Sequence, residues 1–494
     1  MYKRVSYLIA LSLLVIGTQV LAEEPMLPAG LDEPALPTGL SDDLAAEPDL
    51  PVGLEMDFES SADESTEPML PQGLAIGSQD EWQDDSDEWQ DEAWQVNGFW
   101  EARLGDWRSQ QSFLPQHSIA ETRLHLNTER AFNHFTVNMV ADLLYDDVAL
   151  ERHPRLETGQ GWLDLRAANI VFSPLSFMDV RVGRQTLTWG TGDLIFINDL
   201  FPKDWNSFLI GRDDAYLKAP SDAVKASLFS DSINLDIVYT PRFDADRYIS
   251  GERASYYNAN LGRTAGTDAV VVVEKPDKWF EDDELALRLY RNVRTYELAL
   301  YSYNGFWKSP GGANPATGNA IFPGLNVYGA SLRGPLLGGI VSGEWGYYDS
   351  KEDASGTNPL INNSEQRLLL GYEHELVANV TLAMQFYRTR MLDYTQYQQS
   401  LPIGMVMARQ KRHEVSARLT WMALNQKLNT SLFLRYSNNE NDYYLRPKVS
   451  YSMDDHWSFE LGANLFHGKQ AHTFFGQFER NDNIYVAMRY GFLN

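Results

Sequence analysis

The stretch Trp457-Ser458-Phe459-Glu460-Leu461-Gly462-Ala463-Asn464-Leu465 decides the reading of this chain. Every second residue is apolar and the residues between are small or polar, the period of two that sends one set of side chains to each face of a strand. The same alternation sets Val415, Ala417, Leu419 and Trp421 against Glu414, Ser416, Arg418 and Thr420. It places Leu163, Leu165 and Ala167 opposite Asp164 and Arg166. Near the end, Ile484, Val486, Met488, Tyr490 and Phe492 share one side, with Tyr485, Ala487, Arg489 and Gly491 on the other. A soluble β-sandwich alternates as well, but its strands run about five or six residues, whereas about ten suits a tilted membrane crossing.

Eighteen such segments are predicted, near 96–105, 118–127, 132–144, 161–172, 177–187, 222–230, 233–240, 284–291, 294–303, 325–334, 338–349, 364–375, 378–391, 412–424, 427–437, 442–453, 456–467 and 483–493. Tight connections (Ser173 to Ser176, Asn292-Val293, Asn425-Gln426, Asp454-Asp455) alternate with long ones such as 188–221 and 241–283. Short turns on one side, long loops on the other and both ends on the short side are the signature of a transmembrane antiparallel β-barrel. The connection Asn438 to Asn441 is short where a long one is due, so sixteen strands stay open beside eighteen. With 13 Trp and 25 Tyr the chain can furnish interfacial girdles.

The first 95 residues read differently. Lys3 and Arg4, an apolar run from Val5 to Gly17 and the small-residue site Val20-Leu21-Ala22 form a secretory signal peptide over 1–22. Residues 23–95 hold 22 of the chain's 68 carboxylates and no base, so most of the net charge of −27 sits there. Low hydrophobicity with one sign of charge predicts a disordered acidic tail rather than a packed domain. Four copies of P-x-L-P-x-G-L occur within it, at 25–31, 34–40, 48–54 and 68–74. Their spacing is too irregular for a solenoid. Proline stiffens each copy, glycine permits a sharp turn and the leucines supply anchors. The predicted partner-binding set is therefore Leu27, Pro28, Gly30 and Leu31; Leu36, Pro37, Gly39 and Leu40; Leu50, Pro51, Gly53 and Leu54; and Leu70, Pro71, Gly73 and Leu74. The expected partner is a periplasmic or inner-membrane transporter component; a plug for the lumen and a plain spacer are the alternatives.

Absence of cysteine removes thiolate metal sites, disulfides and a lipid-anchor thiol. No H-E-x-x-H or G-x-S-x-G pattern is present, so neither a cofactor nor a metal is expected, and catalysis is not. His125 beside Glu121 and Arg123 is the nearest approach to a catalytic cluster. No basic patch suits nucleic acid. The oligomeric state is not legible.

Residues Val182-Gly183-Arg184-Gln185 and Thr188-Trp189-Gly190 resemble the G-R-Q-x-x-x-W-G region of alginate-export-type outer-membrane porins, as do Phe475-Gly476-Gln477-Phe478 and Asn481-Asp482-Asn483 before the last strand. The resemblance covers 96–494 and implies a Gram-negative outer-membrane channel in contact with lipid; the tail lies outside it, and the signal peptide, with both barrel ends on the short-turn side, puts that tail in the periplasm. Lumen-facing Arg103, Arg123, Arg166, Arg181, Arg288, Arg418, Arg435 and Arg489 read either as a track for an anionic solute or as a ladder neutralised by neighbouring acids. The loop 188–221 carries Leu194-Ile195-Phe196-Ile197 and Leu200-Phe201-Pro202, unexpected in water. It is predicted to fold inward, with Asp193, Phe196 and Phe201 on the solute path, or else to pack on the rim as a lid.

Overall fold

The computed structural model describes residues 93–149 and 152–493. The signal peptide and all four proline-leucine motifs lie outside the described residues. Eighteen strands form one closed antiparallel sheet. In order they are Gln95–Trp107, Ile119–Phe132, Phe135–Asp146, Leu163–Leu175, Met178–Thr186, Pro220–Leu228, Asn234–Thr240, Glu284–Val293, Tyr296–Phe306, Gly324–Leu336, Gly339–Ser350, Glu365–Val377, Val380–Met391, Lys411–Ala423, Leu428–Ser437, Asp442–Ser452, Trp457–Gly468 and Asn483–Leu493. Each pairs with the next, and the first closes on the last through Asn97↔Leu493 to Trp107↔Asn483. Closure leaves no unpaired edge, the condition for putting a sheet in lipid. Among the described residues no helix is long and apolar enough to cross a membrane; the strands do it.

The alternation becomes a two-sided wall. Leu461 is 53% exposed on the outer face, together with Phe459, Val415, Leu419, Trp421, Ile484 and Val486, while Asn464, Tyr485 and Ser416 are buried inward. Leu461→Arg should weaken assembly by about 2–4 kcal/mol, the penalty for a mid-bilayer guanidinium. Glu460→Gln keeps an acceptor for Arg103, whose Nη1 donates to Glu460 at 2.7 Å, and should assemble normally. The heat-modifiable fraction on gels after refolding measures both; equal assembly of the two variants would contradict the assigned faces.

Two details depart from the sequence pattern. Val140 pairs with Ala167 but Ala141 pairs with Leu165, a bulge that leaves Arg166 without a register partner and carries Ala167 from the lipid side to the lumen side. The turns predicted at Asn292-Val293 and Ser173 to Ser176 lie two or three residues later, because the strands run on to Val293 and Leu175. Arg294 then supplies the left-handed turn conformation, with φ 58°. Neither glycine nor asparagine stands there to announce it. Asn438 to Asn441 remains a four-residue turn at the long-loop end, without changing the count of eighteen.

Candidate functional site: a loop across the lumen

The connection 187–219 leaves the fifth strand and re-enters at Pro220, the register partner of Thr186. In between it crosses the barrel. Near its start, Glu344 from the eleventh strand reaches in and is 2% exposed. Its carboxylate accepts from the Thr191 amide, the Gly192 amide at 3.0 Å, the Asn198 amide at 3.2 Å and the Asn198 side chain at 2.9 Å. One carboxylate thus satisfies several loop donors that would otherwise be buried without partners. Asp193 takes a two-pronged pair from Arg418, at 2.6 and 2.9 Å. Arg435 donates to the Leu194 carbonyl at 3.3 Å and pairs with Glu414.

A short helix, Trp205–Ile210, follows. Asp204 caps it by accepting from the Ser207 amide at 2.8 Å, and Gly211 ends it at φ 90°. The Gly211 carbonyl accepts from Arg103 at 2.8 Å, and Leu209's carbonyl from Asn483 at 2.7 Å. Arg212 donates to Glu121 at 2.6 Å. Asp213 accepts from Arg489 at 3.0 Å, and Asp214 pairs with Arg446. Arg166 donates to the Lys218 carbonyl at 2.7 Å, and Arg123 lies 4.1 Å from the Tyr216 ring. Together with Glu344, Arg418 and Arg435, these anchors come from the first, second, fourth, eleventh, fourteenth, fifteenth, sixteenth and eighteenth strands. A lid on the rim could not reach them.

The second long loop, 241–283, fastens the first: Arg247 pairs with Asp204 at 3.3 Å and Asp164 at 2.8 Å, and Asp246 accepts from the Lys203 amide at 2.8 Å. Asp199 and Lys203 pair with each other at 2.9 Å.

Two cavities flank the crossing. Toward the long loops lies one of about 750 Å³, walled by Phe196, Trp205, Phe208, Phe433, Phe466 and Phe475, with Phe201, Arg367, Arg412 and Arg435 also on it. Toward the short turns lies one of about 520 Å³, where Arg103, Arg166, Lys448 and Arg489 mix with Glu101, Asp213 and Glu460.

Of the predicted arginines, Arg103, Arg166, Arg418, Arg435 and Arg489 hold the loop. Arg123 pairs with Glu121 at 2.6 Å and Asp142 at 2.5 Å. Arg288 pairs with Glu297 at 2.7 Å on the wall. Arg181 faces inward opposite Lys225 and makes no ion pair among the described residues. His125 is braced by Asp142 at 2.6 Å and stacked on Phe99 at 4.6 Å. Sequence reading missed Glu344, Arg446, Arg212 and Arg247. Glu344 left one signal, the single acid among the inward positions of its strand. Among the described residues no group of three or more His, Cys, Asp or Glu is arranged to hold a metal ion.

Burial alone would raise the Asp214 carboxyl, yet Arg446, Lys448 and Arg418 hold it well below the usual carboxylate range. Burial acts likewise on Asp213, and Arg489 with Lys448 and Arg103 outweighs it. A depressed folded-state pKa contributes stability above the unfolded value, lost only as pH falls through the folded one. Since both carboxylates lie below their ordinary range, Asp213 and Asp214 should stay ionised and keep their end of the loop latched as pH falls from 7 to about 4, through the ordinary carboxylate range. Their side-chain carboxyl carbon-13 shifts should be flat over that interval. A step near pH 4 would show the latch titrating normally.

A closed eighteen-stranded sheet with an apolar outer belt, a polar interior and a loop packed across it defines an outer-membrane-type barrel. Among solved structures the chain is similar to OccD3 (OpdP) of Pseudomonas aeruginosa, at 9% identity and TM-score 0.48 over 81% of this chain and 92% of that one. It is also similar to OccAB4 of Acinetobacter baumannii, at 12% and 0.49 over 82% and 99%, and to a loop L8 deletion mutant of OmpT, an outer membrane protein of Vibrio cholerae, at 10% and 0.39 over 81% and 99%. No protein-family model matches the sequence, and no curated protein does. The alginate-export resemblance therefore rests on its quoted residues alone.

Proposed function

We propose that this protein is an outer-membrane channel that conducts a solute and is coupled, through its acidic N-terminal tail, to a periplasmic or inner-membrane transport component. The observation that supports a channel is the loop 187–219 lying across a wide barrel between two cavities. Barrels of sixteen to eighteen strands enclose more space than side chains alone fill, and a loop narrowing that space acts as a selectivity element. Phe196 and Phe201 line the larger cavity with Arg435, and Asp193 holds the start of the loop through Arg418. The aromatic lining of the larger cavity favours an amphipathic solute with an apolar body over a sugar. Aromatic faces remove apolar surface from water, while Arg367, Arg412 and Arg435 orient a polar end.

Coupling rests on the four motifs. A tail of about 70 residues spans roughly 45 Å if flexible, and its charge extends it. The full-length chain, crosslinked in cells, should co-purify with an envelope transport component, and the chain lacking residues 23–75 should not. Equal recovery with both chains would remove the coupled reading. A second reading, a diffusion porin plugged by its own tail, is favoured by Arg103, Arg166, Lys448 and Arg489 in the smaller cavity, at the end where the tail begins.

A further inference from the structure

At four places on the long-loop rim, outward-facing polar groups are satisfied locally. Asp106 meets His117 at 2.5 Å, Tyr145 donates to Asp147 at 3.1 Å, Tyr239 to Asp283 at 2.9 Å, and Asn326 to Asp349 at 3.2 Å. The thirteenth and fourteenth strands differ. Their apolar belt runs up through Met384 and Phe386 on one strand and Val415 on the other, all exposed outward. The next outward positions are Arg388 and Arg390, then His413 and Lys411. They stand directly opposite one another, Arg388↔His413 and Arg390↔Lys411. On the other flank their register partners are Leu368 and Gln366, neither of them acidic.

Among the described residues Arg388, Arg390 and Lys411 have no carboxylate within 4.0 Å, the range of the ion pairs found elsewhere on the molecule. Arg390 and Lys411 are exposed, Arg388 and His413 half-buried, and the His413 ring is stacked on Phe386 at 6.1 Å between centroids. Like charges directly opposite on paired strands are destabilising, so the arrangement calls for a counter-anion. The patch begins where the apolar belt ends, so its occupant sits at the membrane interface, where a soluble protein has no access to the lower residues.

We propose that Arg388, Arg390, Lys411 and His413 form a docking site for the phosphate groups of a phosphorylated lipid headgroup in the leaflet on the long-loop side. This rests on the membrane-barrel reading. Guanidinium forks match phosphate oxygens in pairs, and Lys411 adds a point charge. The hydrocarbon of the same lipid then lies along Phe386, Met384 and Val415. The site gives the barrel a fixed lipid neighbour beside the strands that anchor Asp193 and Leu194.

The test uses the full chain in nanodiscs of zwitterionic phosphatidylcholine, titrated with purified lipopolysaccharide or with the same material stripped of phosphate. The variant R388Q/R390Q/K411Q should bind intact lipopolysaccharide about a hundredfold more weakly, at the level the native chain shows for the stripped material. R130Q, which alters an outward arginine stacked on Phe132 at the short-turn end, should bind as the native chain does. Unchanged affinity of the triple variant would overturn the proposal. So would full competition by inorganic phosphate at equal phosphate concentration, which would assign the patch to a free anion. If the triple variant fails to assemble, R390Q and K411Q alone should each weaken binding about fivefold; unaltered binding by both overturns the site. Heat-modifiable mobility reports the barrel separately, so a missing lipid site and a missing barrel give different results.

Discussion

Replacing residues 188–218 with a short Gly-Ser turn should raise single-channel conductance severalfold and shift selectivity toward anions. Thr186 and Pro220 are register partners, so a tight turn can join them without disturbing either strand. The excision removes a segment anchored on both sides of the lumen, together with five acids and three bases. Arg418 and Arg446 then lose Asp193 and Asp214 and face water instead, while Arg103 and Arg489 keep Glu101. Two freed guanidinium groups on a widened path attract anions. Planar-bilayer conductance and the reversal potential under a salt gradient measure the two effects. Native conductance in an assembled variant would place the limiting constriction elsewhere. A gentler change, Asp193→Asn, leaves Arg418 with a neutral acceptor and should raise open-channel noise more than mean conductance. The other anchors, from Glu344 to Arg166, still hold the loop.

Changing both leucines of all four P-x-L-P-x-G-L copies to serine should abolish transport while outer-membrane levels of the barrel stay normal. No described strand contains these residues, so assembly should not depend on them. Altering a single copy should have little effect. Each further copy removed lowers the effective concentration of docking sites, so the loss steepens with number. Transport assays on cells carrying one to four altered copies, with barrel abundance measured in parallel, separate the readings. Normal transport with all four altered would leave the tail as a spacer. Raised conductance of the purified chain lacking 23–75, with no partner present, would identify a plug.

The sequence by itself determined the barrel, because lipid on one face and water on the other impose a period of two on every strand, and that period survives in the order of residues. The eighteen segments and their short and long connections were legible for this reason, as was the placement of Leu461, Val415 and Ile484 outside. Legibility failed where the backbone broke the period. The bulge at Arg166 reversed Ala167 without leaving any mark in composition, and the turn at Arg294 uses a residue that no turn preference suggests. The apolar run from Leu194 to Phe201 announced that its loop avoids water, but not where it goes.

That destination was decided only by tertiary structure. Asp193 meets Arg418 across 225 residues of chain and Arg446 meets Asp214 across 232, separations at which no local pattern constrains the partner. Arginine on an inward face fits a solute track and a structural anchor equally well until the group in front of it is known. The same holds on the outside, where Arg388 and Lys411 lie 23 positions apart in sequence, two strands that each look ordinary. Pairing brings their charges together on one face without an acid between them.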